Sequence, residues 1–248
     1  MSPGKRLCIL GESPLVEEYA SLCLNKGFNV YARLNAAKKR ANLPRGIKRV
    51  PKPTRATDIA LELTNTSVDA KKKNLIELDR VLPAKVLILS SCVTVTAVEQ
   101  SGWITHPSRL VGLGALPSLL QGTLIELATC SATEEPSVNA AKEFAKAIGK
   151  NSSFVRDSVG LVLPRILCML ANEACFAMME GVAGRRDIDT AMKLGTNYPF
   201  GPVEWAEKIG LRQVHAVMAA LHHEFGEDRY RVAPLLRQAA LQGAFPVG

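Results

Sequence analysis

The sequence predicts a two-domain protein in which an α/β domain with a parallel sheet is followed by an all-α domain. Strands alternate with helices from residue 7 to about residue 148, which favours βαβ units. From about Val159 onward, the apolar residues recur almost throughout with helical spacing. We place the division near residues 152–157, which gives an α/β domain over residues 1–153 and a helical domain over residues 154–248.

The first part of the chain has the spacing of a βαβ unit. Residues 7–10 form a short apolar run that ends at Gly11, residues 15–26 repeat with helical period, and residues 29–32 suit a second strand. Two strands joined by a helix imply a parallel pair, because parallel strands need a crossover connection. Further strands are predicted at Ile59–Leu63, residues 86–89, Leu110–Leu113 and Leu124–Ala128, and further helices at residues 69–82 and 134–148.

The second part of the chain has the pattern of helices alone. They are predicted at residues 164–179, 186–194, 203–209, Leu211–Phe225 and 230–242. The first of these helices carries apolar side chains around its whole circumference: Ile166, Leu167, Leu170, Phe176 and Met178. A helix that is apolar all round must be buried by more than one neighbour. We therefore expect a homodimer through the helical domain; the alternative is that the α/β domain alone covers these faces.

The composition is that of a globular protein. Hydrophobic residues make up 47% and charged residues 22% of the 248 residues. No apolar run approaches the roughly 20 residues that a membrane span needs. The apolar run before Gly11 is also too short for the core of a signal peptide, so we expect a cytoplasmic protein that does not contact a membrane. The six cysteines form no CxxC pair, so we expect reduced, buried thiols and no metal site.

One segment of the chain concentrates positive charge. The formal net charge is +8. Between the strands predicted at residues 29–32 and 59–63, a run of basic residues contains no acid: Lys38, Lys39, Arg40, Arg45, Lys48, Arg49, Lys52 and Arg55. This basic segment suits the phosphates of a nucleotide, of coenzyme A or of nucleic acid, and it equally suits a solvated loop. Binding of nucleic acid is supported by the net charge alone, so we do not favour it.

Several motifs follow one another in a recognisable order. The second half contains Asp187-Ile-Asp-Thr-Ala-Met-Lys-Leu-Gly195 and then Pro199-Phe-Gly-Pro202. Glu62, Lys71 and the Ile125-Glu126 pair stand in matching order in the first half. In these motifs the sequence resembles the 3-hydroxyacyl-CoA dehydrogenase family. The resemblance implies a Rossmann-type NAD-binding domain, a helical domain that dimerises, and hydride transfer on a 3-hydroxyacyl-CoA.

The dinucleotide fingerprint G-x-G-x-x-G is reduced to its first glycine. The segment reads Gly11-Glu12-Ser13-Pro14-Leu15-Val16. The second glycine of the fingerprint lets the pyrophosphate approach the backbone, so Ser13 adds a side chain where the phosphate lies. Pro14 removes an amide donor, and Glu12 adds negative charge. We expect NAD to bind loosely or not at all.

Other candidate cofactor contacts lie further along the chain. An acid at the end of the second strand would bind the adenosine ribose, and that position holds Leu34. The neighbouring Arg33 would instead accept a 2′-phosphate, which favours NADP. Together with the residues that the resemblance adds, the candidate cofactor-binding set is Gly11, Ser13, Arg33, Glu62 and Lys71.

The resemblance implies a histidine base held by a glutamate, and a serine and an asparagine that bind the substrate oxygens. Gly114 stands at the histidine position, Val93 at the serine position and Pro164 at the asparagine position. The glutamate remains as Glu126. The candidate catalytic residues are therefore Glu126, Thr94 and Ser91.

Three functions are compatible with these residues. The first is an NAD- or NADP-dependent dehydrogenase-like protein of fatty-acid or related acyl-CoA metabolism, with weak or altered activity. The second is a non-catalytic relative that binds acyl-CoA or assists a true dehydrogenase as a partner subunit. The third is lyase or hydrolase chemistry driven by Glu126 without nicotinamide, because a carboxylate in a dry site can act as a base.

Overall fold

The computed structural model describes residues 4–35 and 43–246. In this part of the chain, the first domain is built on one sheet of eight strands. The strands are β1 Arg6–Gly11, β2 Asn29–Leu34, β3 Lys48–Arg49, β4 Ile59–Leu63, β5 Leu87–Ser91, β6 Leu110–Leu113, β7 Leu124–Ala128 and β8 Asn151–Phe154. Their order is β3-β2-β1-β4-β5-β6-β7-β8, and neighbours run parallel except β6 and β7, which are antiparallel. This is a Rossmann-type arrangement, and it confirms the predicted fold class.

The helices fall into two groups along the chain. Those of the sheet domain are α1 Leu15–Asn25, α2 Val68–Val81, α3 Ala97–Ser101 and α4 Glu135–Ala147. Those of the helical domain are α5 Leu163–Met179, α6 Arg185–Thr196, α7 Pro202–Ile209, α8 Leu211–Phe225 and α9 Pro234–Gln242. The sequence prediction starts α9 too early, at residue 230, because it does not separate the helix from the short 3₁₀ turn at Asp228–Tyr230. Pro234 then suits the first helical turn.

Three elements, β3, α3 and β8, are absent from the sequence prediction. β3 is two charged residues long, and β8 reads Asn-Ser-Ser-Phe, so neither has the apolar alternation that marks a strand. α3 has only five residues, and it begins at Thr96, whose hydroxyl accepts a hydrogen bond from the Glu99 amide. β8 includes the point at which we divide the domains.

The sheet is covered on both faces. α1 and α4 pack on one face, and α2 packs on the other through Leu75 and Leu78. Burial on both faces explains why the central strands are apolar without interruption. The helical domain has its own core, which also takes in Val93 and Leu116 from the loops after β5 and β6. The two domains are therefore joined by packing at the carboxyl ends of these strands.

The cysteines are buried free thiols. Burial raises the pKa of Cys8 and of Cys175 to about 12, so neither is an activated nucleophile. Within the described ranges, no helix is long and apolar enough to cross a membrane. The same residues contain no group of His, Cys, Asp and Glu side chains that could hold a metal ion.

The two motifs of the second half form one structural unit. Asp189 of α6 accepts hydrogen bonds from the amides of Val203 (2.8 Å) and Glu204 (3.2 Å), and so caps the N-terminus of α7. Gly201 has to be glycine, because a Cβ there would lie 2.1 Å from the Asp189 Oδ1. The motifs at residues 187–195 and 199–202 are thus explained by the packing of α6 against α7.

Substitution of this cap should cost stability. Asp189→Ala leaves two amides at the start of α7 without their acceptor, so we expect the free energy of unfolding to fall by about 1–2 kcal/mol. Asp187→Ala is the matched control, since Asp187 is exposed in the first turn of the same helix, and it should change stability by at most about 0.5 kcal/mol. Urea denaturation measures both variants, and equal losses would contradict the capping role.

Candidate functional site

A cleft of about 940 Å³ lies between the two domains. One wall is formed by the loops after β1, β2 and β4, with Glu12, Leu34 and Thr66, and the other by residues 207–213 of α7 and α8. In sheets of this kind, ligands bind outside the carboxyl ends of the strands, where the strand order reverses. The neighbouring strands β1 and β4 are such a point. The cleft is therefore the candidate ligand site.

Gly11, the retained glycine of the fingerprint, is required by the sheet itself. A Cβ at this position would lie 2.5 Å from the carbonyl oxygen of Leu63 at the end of β4. Val16, at the position of the third glycine, is fully buried in the core beneath α1. Gly11 alone is therefore no evidence that a dinucleotide binds, because strand packing already demands it.

The loop between β1 and α1 does not fit a pyrophosphate in the way that a fingerprint loop does. The Glu12 carboxylate, which lines the cleft, accepts hydrogen bonds from the amides of Asn65 (2.9 Å) and Thr66 (3.2 Å). Ser13 is exposed on the cleft, and Pro14 has no N–H to offer a phosphate. A dinucleotide phosphate entering here would meet the Glu12 carboxylate.

Arg33, near the end of β2, is engaged by other protein groups. Arg33 pairs with Glu77 at 2.7 Å and donates hydrogen bonds to Asn74 Oδ1 and to the Pro51 carbonyl, both at 3.0 Å. Leu34 follows it on the cleft wall, where an acid would bind a ribose. With its charge neutralised in this way, Arg33 would have to leave these partners to reach a 2′-phosphate.

Glu62 and Lys71 form an ion pair inside the protein. The Lys71 Nζ lies 2.5 Å from the Glu62 Oε2, and their side chains are 1% and 0% exposed. Lys71 also donates to the Ser91 carbonyl at 2.7 Å, while Asn74 donates to Glu62 at 3.1 Å. The pair holds α2 against the ends of β4 and β5, so both residues support the floor beneath the cleft.

Asn65, which the sequence does not single out, joins two of the candidate catalytic hydroxyls. Ser91 donates to the Asn65 Oδ1 at 2.6 Å, and Thr94 donates to the Asn65 carbonyl at 3.1 Å. The Asn65 amide group donates to Gln213 Oε1 (2.8 Å) and to the Ala115 carbonyl (2.9 Å). The structure therefore brings Ser91 and Thr94 together, and it engages both hydroxyls with the loop after β4.

Glu126 is directed at α5. Its carboxylate accepts hydrogen bonds from the amides of Val162 (3.0 Å) and Leu163 (2.9 Å) at the N-terminus of that helix. Such a position suits a negative charge, because the helix dipole and the free amides both stabilise it. The carboxylate that the resemblance pairs with a histidine is used here as a helix cap, apart from Ser91 and Thr94.

Gly114, which stands at the histidine position, is tightly packed. A Cβ at Gly114 would lie 3.1 Å from the Glu126 Cβ and 3.2 Å from the Leu161 Cδ1, closer than side chains normally approach. The cavity that Gly114 lines with Glu126 and Pro164 measures about 20 Å³. That is room for about one water molecule. A side chain at position 114 would therefore require Glu126 or Leu161 to shift by a few tenths of an ångström.

The basic segment lies partly outside the described residues, which exclude Lys38, Lys39 and Arg40. Further along it, Arg45, Lys48, Lys52 and Arg55 are exposed. Lys48 of the edge strand β3 lies 5.5 Å from the centre of the Tyr31 ring. Their exposure is consistent both with binding of an anionic ligand and with a solvated surface.

Comparison with protein-family models matches both domains. Residues 35–158 match the NAD binding domain of 3-hydroxyacyl-CoA dehydrogenase, and residues 160–247 match its C-terminal domain. A probable 3-hydroxybutyryl-CoA dehydrogenase of Bacillus subtilis is 32% identical over 186 residues, which is 75% of this chain and 65% of that protein. A 3-hydroxybutyryl-CoA dehydrogenase of Bradyrhizobium diazoefficiens is 31% identical over 72% of this chain and 61% of its own length. The chain thus spans somewhat less than two thirds of these relatives.

Solved structures agree with this assignment. The crystal structure of (S)-3-hydroxybutyryl-CoA dehydrogenase from Ralstonia eutropha matches with a TM-score of 0.76 and 27% identity, covering 96% of this chain and 94% of that one. A 3-hydroxybutyryl-CoA dehydrogenase from Escherichia coli K12 shares the fold, with a TM-score of 0.78 at 20% identity over 98% of this chain and 57% of that one. The similarity therefore extends over both domains.

Proposed function

We propose, since this chain belongs to the 3-hydroxyacyl-CoA dehydrogenase family, that it is a dehydrogenase-like protein that binds NAD or NADP loosely. In this proposal, hydride transfer on 3-hydroxybutyryl-CoA or a related 3-hydroxyacyl-CoA is slow or absent. The setting is fatty-acid or related acyl-CoA metabolism in the cytoplasm. The observation that carries the proposal is the combination of an open interdomain cleft of about 940 Å³ with a histidine position, Gly114, that is crowded by Leu161 and Glu126.

The size and place of the cleft support a bound organic ligand. Ligand pockets commonly enclose about 300–1,000 Å³ and often lie at domain interfaces and switch points of parallel sheets. Lys208 and Arg212 of the helical domain are exposed on its wall. These cations can pair with the phosphates of a nucleotide or of coenzyme A, and Glu12 and Glu207 on the same cleft offset part of their charge. When bound, a nicotinamide cofactor would supply the hydride; this chain would supply the cleft walls.

A second candidate is a non-catalytic protein that binds acyl-CoA or assists a true dehydrogenase as a partner subunit. The observation in its favour is that Gly114, Pro164 and Glu126 enclose only about 20 Å³. The Glu126 carboxylate that lines this cavity is held by two amides of α5. This engagement also argues against the lyase or hydrolase reading, because a base must be free to accept a proton.

Calorimetry separates the two candidates. NAD, NADP and acetoacetyl-CoA are titrated separately into the full chain. Binding of either nicotinamide cofactor, together with slow oxidation of NADH or NADPH, supports the dehydrogenase-like protein. Binding of acetoacetyl-CoA without either cofactor supports the non-catalytic relative. If none of the three ligands binds at millimolar concentration (about −4 kcal/mol), the dehydrogenase-like protein and the acyl-CoA-binding relative are both excluded.

We also propose a homodimer through the helical domain. Large apolar side chains are exposed there, including Val182 (71%), Leu194 (82%) and Ile166 (48%). Exposed apolar surface of this kind marks an interaction surface, and a two-fold arrangement is the commonest for identical chains. Light scattering at micromolar concentration should give twice the 26.8 kDa of the chain. Leu194→Glu should lower that mass, and a wild-type mass near 26.8 kDa refutes the dimer.

A further inference from the structure

The carboxylate of Glu12 is held by donors from both domains. Its Oε1 accepts from the amides of Asn65 and Thr66, at 2.9 and 3.2 Å, and from the Gln213 Nε2 at 2.6 Å. The Thr66 hydroxyl donates to its Oε2. Amides of successive residues that converge on one oxygen form the kind of concavity that binds anions. In this chain, a side chain of the protein already fills that concavity.

Gln213 extends the same contact into the helical domain. It lies in the first turn of α8 and is 5% exposed. Its Nε2 donates to Glu12, while its Oε1 accepts from the Asn65 Nδ2 at 2.8 Å. Asn65 in turn accepts from Ser91 and donates to the Ala115 carbonyl. One continuous set of hydrogen bonds therefore ties the loops after β1, β4, β5 and β6 to α8.

Glu12 lies where its negative charge would repel a phosphate. Glu12 lies between Gly11 and Ser13 in the loop that, in Rossmann-type folds, faces the dinucleotide pyrophosphate. Two anions cannot share the amides of Asn65 and Thr66, because like charges repel and each needs the same donors. A phosphate could therefore bind these amides only by displacing the carboxylate, which would break the link to Gln213.

We infer that Glu12 is an internal anion that occupies the backbone-amide site after β4 and latches the helical domain over the cleft. The inference rests on the proposed function only in taking the cleft as the ligand site. It predicts that Glu12 weakens the binding of external anions at these amides. It also predicts that the two domains unfold together because the contact between Glu12 and Gln213 adds to the packing of Val93 and Leu116 against the helical domain.

Two variants separate these roles. Glu12→Ala frees the amides and cuts the link to α8, whereas Gln213→Ala cuts the link and leaves the carboxylate on the amides. Inorganic pyrophosphate is the probe. Its affinity for Glu12→Ala should be at least tenfold higher than for wild type, about 1.4 kcal/mol. It should be unchanged in Gln213→Ala and in the control Glu143→Ala, whose side chain is exposed on α4.

The second readout is domain coupling. The chain has two tryptophans, Trp103 in the sheet domain and Trp205 in α7 of the helical domain. In Trp103→Phe and Trp205→Phe backgrounds, the remaining fluorescence follows one domain during urea unfolding. The two unfolding transitions should coincide in the chain that retains both Glu12 and Gln213. They should separate when either Glu12 or Gln213 is replaced by alanine, and they should still coincide in the Glu143→Ala control.

The inference fails if Glu12→Ala gains no affinity for pyrophosphate, or if its two unfolding transitions stay coincident. Should Glu12→Ala not fold, Glu12→Gln takes its place in the binding test, because it keeps the shape and removes the charge. Glu12→Gln should then bind pyrophosphate more tightly than wild type, and an unchanged affinity overturns the inference. None of these measurements uses hydride transfer, so a dehydrogenase assay can fail or succeed independently.

Discussion

The purified wild-type protein should convert acetoacetyl-CoA and NADH at least a hundredfold more slowly than family members that carry the active-site histidine. A positioned general base contributes about 10²–10⁴-fold, and Gly114 supplies none. The close packing of Leu161 and Glu126 around Gly114 should reduce the rate further. The decrease in NADH absorbance at steady state measures this rate, and turnover near 10 s⁻¹, about the median for enzymes, would contradict it.

Two variants show whether any residual turnover comes from the candidate catalytic residues. Glu126 is bound by amides of α5, and the Thr94 hydroxyl is bound by the Asn65 carbonyl. Glu126→Gln and Thr94→Val should therefore leave a residual rate unchanged within about twofold, which is less than general acid–base groups contribute. A tenfold or larger loss in Glu126→Gln would identify this carboxylate as a working base.

The largest expected loss of stability follows from breaking the buried ion pair of Glu62 and Lys71. Lys71→Met leaves the Glu62 carboxylate, which is 0% exposed, without its cation. Removing one partner of a buried pair typically costs about 3–5 kcal/mol, a large share of the stability of a domain. We expect Lys71→Met to unfold at much lower urea concentration or to be recovered unfolded, as circular dichroism and urea titration would show.

The chain supplies a matched control for this pair. Arg185 and Glu207 form an ion pair at the surface, with side chains 42% and 49% exposed. Arg185→Met should therefore cost at most about 1 kcal/mol. The double variant Glu62→Gln/Lys71→Met should be more stable than Lys71→Met alone, because no unpaired charge stays buried. Equal losses of stability in Lys71→Met and Arg185→Met would show that the buried pair contributes no more to stability than the surface pair.

The sheet is predictable from the sequence because its central strands are apolar runs. Ile59–Leu63, Leu110–Leu113 and Leu124–Ala128 are predicted with the bounds that the structure shows. β3 and β8 escape prediction because edge strands need few apolar residues, and here β3 has none. The order of elements, first strands alternating with helices and then helices alone, depends on the whole pattern. It is therefore predicted correctly even though β3 and β8 are missed.

The roles of individual site residues are less predictable. The sequence selects Glu62, Lys71 and Glu126 because their positions match a family, yet matching cannot tell a side chain that touches a ligand from one that supports the fold. In the structure, the first two satisfy each other and the third caps α5. Whether Glu62 and Lys71 also affect cofactor binding stays a prediction.

The sequence does not reveal site residues that contact each other across long separations along the chain. Asn65 and Gln213 lie 148 positions apart, and no local pattern relates them. Leu161 belongs to no chemical motif, and its effect appears only when its side chain is found beside Gly114. Glu12 does carry a signal, since an acid in a phosphate-binding loop is unfavourable, but the donors that hold it come from distant segments.

We propose that the candidate catalytic site lacks the chemical groups of the family and is also too tightly packed at position 114 to use them if they were restored. The triple variant Val93→Ser, Gly114→His and Pro164→Asn restores every group that the family uses beside Glu126. Its rate of NADH oxidation with acetoacetyl-CoA is the direct test, in a preparation whose circular dichroism shows it folded. We predict that it stays within tenfold of the wild-type rate, because Leu161 and Glu126 still fill the pocket. A gain of a hundredfold or more, within the range that acid–base groups supply, would contradict the claim.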